Sequence, residues 1–578
     1  MKKSLKKSGQ RILRKFSRAS IRASEESKEH IKENLLGRVS HIENIKLLIL
    51  EWGLLAFALI MLAITQAFWF GDSYAENVFT SGGTYTEATI GNIGSMNPLF
   101  ATTNSEKVLS KLLFATLATD DYSGHLGPGL AKYIRANENG KIWTVKLRDN
   151  LKWSDGEKIT NEDVIFTAEL IKNPAVTTIY DANLSGVKIS ENESGEIVFE
   201  LANAYADFIS ALNFPLVPKH VLQDADPKIL VEHSFSTAPI TSGPFVLNAV
   251  QQNSAAEETV VYLASNPEFY KGGTMLSSFA IHTYKDKEAI VAALNAGSVT
   301  ATAELHDVDA GKIDSGKFYQ RNSSLNSGAF MFFNLNNAFV KDVAFRRAIR
   351  QGIDIAKIRA ASADNLPLDF PLLSSQIALT KYPDLGVRDF DAAKAKIAEI
   401  AGGEEIHLNI TTVNYNNLPE VARALAEELE SLGVKAEVSV FDENQEFISN
   451  IVSRRNYDIL IYEIELGSDP DLLPYYHSSQ ISKSGLNLSN YRNSLVDDLL
   501  LAARDTLDKE LRTKKYESFL EYWVNDVPAI GLFRSNLTYF YNRNVRAYGD
   551  NLKLVTALDR FVDINNWAVN RGTKNETP

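Results

Sequence analysis

At 578 residues, with 45% hydrophobic and 23% charged residues, the chain has an ordinary globular make-up and is too long for one core, so several domain-sized units are expected. It contains no cysteine, which excludes disulfides, thiolate metal sites, cysteine nucleophiles and lipid attachment through a cysteine. The net charge of -12 is unevenly spread: residues 1–46 carry 13 Lys/Arg against 5 acids, while beyond residue 51 there are 47 basic and 66 acidic residues, a balance that disfavours nucleic-acid binding by the larger part.

Trp52 to Phe70 is an uncharged stretch of 19 residues with aromatic ends, extended at its start by Leu47 to Leu50. That length crosses a bilayer as a helix and exceeds a secretory h-region, so an uncleaved signal anchor over 47–70 is expected. The basic tail, 1–46, precedes it, and Asp72 and Glu76 follow in a tether over 71–81. By the positive-inside rule the tail is cytoplasmic and the main domain extracellular or periplasmic, on a single-pass cell-membrane protein.

The exported part opens with a short strand from Gly82 to Ala88, then loop chemistry at Asn97 to Phe100 and Thr102 to Ser105 that caps a helix over Glu106 to Leu117. Trp143 to Leu147 alternates as a strand. Trp153 to Gly156 turns the chain, and Thr160 with Asp163 has capping-box spacing before a helix ending near Asn173. Val187 to Ser190 and Glu196 to Leu201 flank a hairpin turn. Later, Pro419 to Leu432 is an amphipathic helix stopped by Gly433, and Val434 to Val440 alternates as a strand. Ile459 to Tyr462 reads as a buried strand delivering Glu463, Glu465 and Asp469 at its carboxyl end, where open α/β sheets form ligand crevices. Helices over Leu495 to Leu507 and Lys509 to Trp523 and a strand over Pro528 to Phe533 complete the pattern.

The series of motifs resembles the extracellular solute-binding proteins of the oligopeptide and dipeptide ABC-importer family. The residues carrying the resemblance are Gly82-Gly83-Thr84, Asn97-Pro98-Leu99-Phe100, the stretch Ile142 to Val164, Pro218-Lys219-His220, Thr241-Ser242-Gly243-Pro244-Phe245, and the segment from Phe333-Asn334 through Phe345-Arg346-Arg347-Ala348 to Ile353-Asp354. The match runs from about Gly82 to Tyr548. It implies an α/β, two-lobed periplasmic-binding-protein-like (type II) fold with an extra α+β subdomain, here preceded by one transmembrane helix. Lobe I would comprise 82–326 and 535–578, and lobe II 327–534, with crossings near Ser327 and Arg534. Anchorage by a helix departs from the family's habit of a lipidated cysteine or free diffusion.

No H-E-x-x-H, G-x-S-x-G or P-loop pattern is present, and an enzyme is not expected. No cofactor or metal is expected either. The resemblance implies a receptor that captures a peptide between closing lobes and delivers it to an ABC permease complex, acting as a monomer tied to the membrane through one helix. The alternatives are a binder of a non-peptide solute, such as a nickel chelate or sugar, and a surface interaction or chaperone protein reusing the fold. Candidate ligand contacts are Thr102, Ser242, Gly243, Phe330, Asn334, Glu463, Glu465, Asp469, Tyr476 and His477. Several have a structural alternative: Asp469-Pro470 as a turn or cap, His477 as a packed histidine, Asn334 as a structural amide and Tyr476 as core. In the family an acid of the second lobe commonly takes the peptide's amine. Alignment on Asp469-Pro470 puts that position at or beside Leu466, with Glu465 its neighbour and preferred anchor and with Glu463 and Asp469 next.

Overall fold

The computed structural model describes residues 46–73, 75–178, 180, 184–253, 258–362, 366–442 and 445–575. The basic tail therefore lies outside the described residues up to Ile45.

The apolar stretch forms one helix, α1, over Lys46–Ser73. Its 28 residues are about 42 Å long at the usual rise, enough to cross the roughly 30 Å of a hydrocarbon core. Between Ile49 and Gln66 none of it is buried against protein.

The segment Phe79–Arg571 is one compact unit with two large hydrophobic cores and a third, smaller one that holds Ala88, Leu294, Phe318 and Phe540. In chain order its main elements are β1 (Thr84–Ile90), α2 (Asn104–Leu113), β2 (Ile142–Leu147), α3 (Asn161–Lys172), β3 (Phe245–Asn253), β4 (Glu258–Ser265), β5 (Ser278–Tyr284) and β6 (Ala301–Thr302). Then come β7 (Phe318–Phe333), β8 (Ile406–Val413), α4 (Leu418–Ser431), β9 (Val434–Phe441), β10 (Ile459–Glu465), α5 (Ser494–Asp505), α6 (Lys509–Asp526) and β11 (Ala529–Asn542). The expected capping boxes form: Thr103 pairs with Glu106 at the start of α2, and Thr160 with Asp163 at the start of α3. The first helix ends at Leu113 rather than Leu117, because Phe114 turns extended and Thr116 bridges to Pro215.

A single sheet runs through both cores in the order β9-β8-β10-β7-β11-β6-β1-β5-β4-β3. In the second core β8 lies parallel to both β9 and β10, as the β8–α4–β9 crossover requires. A separate four-stranded sheet holds β2 between strands Ala131–Ala136 and Ile197–Glu200, with Lys188–Glu191 at its edge; α3 lies between in sequence, giving an α+β subdomain. The chain is thus a two-lobed, mixed α/β fold.

Among the described residues β7 and β11 are the longest strands, at 16 and 14 residues, and both run from the second core to the third, where Phe318 and Phe540 lie. Phe330 to Phe333 of β7 and Ala529 to Phe533 of β11 belong to the second core, whereas Leu537 and Tyr539 of β11 belong to the first. The two strands pair antiparallel, but the register breaks between Ser324 and Gly328: Ser324 faces Asn536 and Gly328 faces Arg534. The extra residues of β7 form a bulge, a local bend in the ladder, where the strands pass from one lobe to the other. Asn326 ties this bend to the second lobe. Its carbonyl accepts the Leu466 N–H at 2.8 Å and its amide donates to the Gly467 carbonyl at 2.9 Å, while Arg534 and Ser375 donate to its Oδ1.

Candidate functional site

Because β8 and β10 run parallel, their carboxyl ends open on the same edge of the second lobe's sheet. From β8 the edge receives Asn414, Tyr415, Asn416 and Asn417. The last two carry φ of 50° and 46°, a left-handed pair that asparagine tolerates better than most residues. From β10 it receives Glu463 and Glu465, two apart and so on one face.

Glu463 joins the two crossing strands. Ser327 of β7 and Ser535 of β11 both donate to its Oε1, at 3.1 and 2.6 Å. Its other oxygen, Oε2, is shut off from solvent and meets no donor among the described residues, and Asn416 Oδ1 is in the same condition. Burial pushes the Glu463 carboxyl above its ordinary range, although the hydroxyls of Ser535 and Ser327 and the neighbouring Asn416 amide all favour the charged form. Glu465 is exposed, and its carbonyl accepts the Tyr475 hydroxyl at 2.6 Å. Leu466, where the resemblance places an acid, is buried in the second core.

The remaining candidates are engaged by the protein itself. Thr102 is exposed and donates its N–H and hydroxyl to Glu106 Oε2, at 2.9 and 3.3 Å. Ser242 and Gly243 both donate to the Leu113 carbonyl, and Ser242 Oγ accepts the Ala115 N–H. At 243 the backbone closely approaches the end of α2: a Cβ there would stand 2.6 Å from Leu113 C and Phe114 N. Phe330 is core, fully buried. Asn334 is a structural amide, donating to the Arg455 and Tyr457 carbonyls and accepting from Asn490. Tyr476 packs against Phe519 and Trp523 in the second core. His477 Nδ1 accepts the Ser479 N–H at 3.0 Å and lies 3.9 Å from Asp497. Asp469 is taken by Arg512, which donates to both of its oxygens, one at 2.7 Å.

Arg512 belongs to a second contact between the lobes. Asp207, buried on the first lobe, lies close enough to Asp469, Arg512 and Asp471 for their charges to act on it. Beside it the Ala206 N–H donates to the Arg504 carbonyl at 2.8 Å, the Arg504 guanidinium stacks on Tyr205 at 4.2 Å, and Arg504 pairs with Asp471 at 3.3 Å. Asp207 of the first lobe thus meets a cluster of two carboxylates and two guanidiniums on the second.

The acids at the β10 edge are candidates from the sequence; the residues that meet Glu463 there are not. The run Asn414-Tyr415-Asn416-Asn417, between a strand and a helix opened by Pro419, was the available signal. Ser327 and Ser535 carried none, since each is an ordinary serine until the strands are paired.

This architecture, two α/β lobes joined by paired crossing strands with acids at a strand edge between them, defines a two-lobed solute-binding protein. The sequence profile of bacterial extracellular solute-binding proteins, family 5, matches residues 125–484, and the chain belongs to that family. It is 23% identical over 497 residues to the oligopeptide-binding protein AppA of Bacillus subtilis, covering 81% of this chain and 89% of that one. Its fold is similar to the crystal structure of the substrate-binding protein CtaP from Listeria monocytogenes, with a TM-score of 0.74 and 21% identity, over 85% of this chain and all of that one. The structure of Bacillus subtilis AppA in complex with a nonapeptide aligns with a TM-score of 0.70 and 21% identity, over 85% and 99% of the two chains.

Proposed function

We propose that this protein is a membrane-anchored extracellular receptor that captures peptides between its lobes and hands them to an ABC permease, without chemistry of its own. The observation that carries the reading is the carboxyl edge of β8 and β10, where Glu463 is hydrogen-bonded to both strands that cross between the lobes and Glu465 follows two residues on. An extended peptide presents backbone donors and acceptors and an ammonium; a polar strand edge and a carboxylate are the groups that meet them. Relatives described as peptide-binding support the choice of ligand, and the AppA structure holds a nonapeptide.

In this reading lobe I spans 82–326 and 535–578, lobe II spans 327–534, and closure bends β7 and β11 at the Ser324–Gly328 bulge and near Arg534. The helix α1 holds the receptor at the membrane, with the basic tail inside and the lobes outside. The protein works as a monomer beside its permease.

The test is calorimetry on the full chain in lipid nanodiscs against free peptides of two to nine residues. Saturable binding to at least one length is expected. No saturable binding at any length would sink the reading.

A further inference from the structure

The α+β subdomain reaches the second lobe through two of its segments: the turn between strands Ala131–Ala136 and Ile142–Leu147, and the stretch that follows Ile197–Glu200. The two are tied to each other, since the Leu201 N–H donates to the Lys141 carbonyl at 2.8 Å and Lys141 Nζ to the Ala202 carbonyl at 3.2 Å. Opposite them lies the junction of α5 and α6. The Ala206 N–H bonds the Arg504 carbonyl there and the Arg504 guanidinium covers the Tyr205 ring. A methyl group built on Gly140 would stand 3.4 Å from both Ala204 Cβ and Leu507 Cδ1.

This seam is of a kind that can part. Phe208 and Leu212 beside it belong to the first core and Leu500, Ala503 and Tyr516 to the second, and no hydrophobic cluster among the described residues spans it. A permanent interface buries a continuous apolar patch, whereas one held by a backbone hydrogen bond, a guanidinium stack and ion pairs is separable. Arg504 is itself only partly engaged: it pairs with Asp471, but its Nε is shut off from solvent and meets no acceptor among the described residues. The seam is also joined to the crevice by one short segment, Glu465 to Asp471. Glu465 stands at the β10 edge, the Leu466 N–H and Gly467 carbonyl bond Asn326 at the bend of β7, and Asp469 and Asp471 take Arg512 and Arg504.

We propose that this seam is a catch: the subdomain holds the second lobe in the closed position, and a bound peptide leaves only after the contacts of Tyr205 and Ala206 with Arg504 have parted. The proposal rests on the peptide-receptor reading and deepens it, by giving the subdomain a part in release. The ligand favours the closed form through its contacts in the crevice and the catch favours it through others, so both act on one equilibrium. Weakening the catch lowers the closed population and speeds dissociation. The preference among peptides, which is set in the crevice, stays as it was.

The experiment uses the full chain in nanodiscs and a fluorophore-labelled alanine peptide, of the length that binds best between two and nine residues. Arg504→Met and Tyr205→Leu each remove the stack, and stopped-flow dissociation of the probe is expected to quicken by roughly three- to tenfold. Association should stay within about twofold of the parent. Since both changes break the same contact, the double variant should be little faster than Arg504→Met alone. The chain has no cysteine of its own, so Ala206→Cys with Arg504→Cys places a single pair across the seam, where the backbone hydrogen bond brings the two positions within the span of a disulfide. Probe loaded before oxidation is expected to leave at least about tenfold more slowly from the oxidised protein than from the same sample after reductant. The reduced form, lacking Arg504, should release faster than the parent. This comparison sets one folded sample against itself, so it stands even if Arg504→Met or Tyr205→Leu fails to fold. Equal release from oxidised and reduced protein, with binding intact, would mean a seam that never parts; it would overturn the catch and leave the receptor reading standing. Folded single variants that release the probe at the parent's rate would do the same. No saturable binding by any peptide would overturn both.

Discussion

Arg512 holds both carboxylate oxygens of Asp469 beside a buried acid of the opposite lobe, Asp207. Burial, and then the charge of Asp469, push the Asp207 carboxyl well above its ordinary value of 3.8. An acid whose folded pKa is raised binds its proton more tightly in the native protein than in the unfolded chain. Native stability therefore declines as pH climbs from about 3.8 through the raised folded value, and is flat beyond it. Asp207→Asn removes that dependence. Thermal unfolding of parent and variant should coincide near pH 4 and separate as the pH rises, with the variant the more stable at neutrality. A parent that stayed level with the variant from pH 4 to 8 would contradict this account of the seam.

Removing Arg512 should act in the opposite direction. Arg512→Met keeps much of the apolar stem but leaves Asp469 without its partner and Asp207 without its nearest positive charge. The loss should be on the order of 2 kcal/mol, below the range for fully buried pairs because 28% of the Asp469 side chain remains in solvent. Adding Asp469→Asn should recover part of it. Urea unfolding of the single and double variants measures both quantities, and a double variant less stable than the single one would show that the pairing was not the cause.

At Gly243 the prediction concerns packing. A methyl group at that position meets backbone atoms of Leu113 and Phe114 at 2.6 Å, and backbone cannot move aside as a side chain can. Gly243→Ala should lower stability by about 1–3 kcal/mol, read by chemical unfolding. If the variant instead keeps its stability and loses peptide binding, the glycine serves the ligand after all.

The sequence made much of this structure legible because its signals were local. The capping residues of α2 and α3, the helix α4 stopped by Gly433, and the strand leading to Glu463 are each written in a window of a dozen residues. What was not legible depends on pairing between segments far apart in the chain. Ser327 and Ser535 are 208 residues apart, and nothing in either window says that they share one carboxylate. Asp469 beside Pro470 reads as a turn or cap before a ligand contact, but nothing nearby in sequence shows that Arg512, 43 residues on, takes both its oxygens. Asn334 and Tyr476 had their structural alternatives stated from sequence, and their neighbours in the second lobe engage them. For Gly243 the need for close approach was legible, but the surface approached was not.

Glu465 tests how far the exposed acid of the β10 edge matters by itself. Its side chain is in solvent, so its attraction for a cationic ligand is screened by salt and acts mainly on encounter. Glu465→Gln should slow association of free-amine peptides by roughly two- to fivefold at low ionic strength and leave dissociation nearly unchanged. The difference should vanish near 0.5 M salt, where the Debye length is only a few ångströms. Stopped-flow measurements at two salt concentrations separate the rates. A large rise in the dissociation rate that survived high salt would instead make Glu465 a direct anchor, with the ligand's ammonium held at the end of β10 rather than at Glu463.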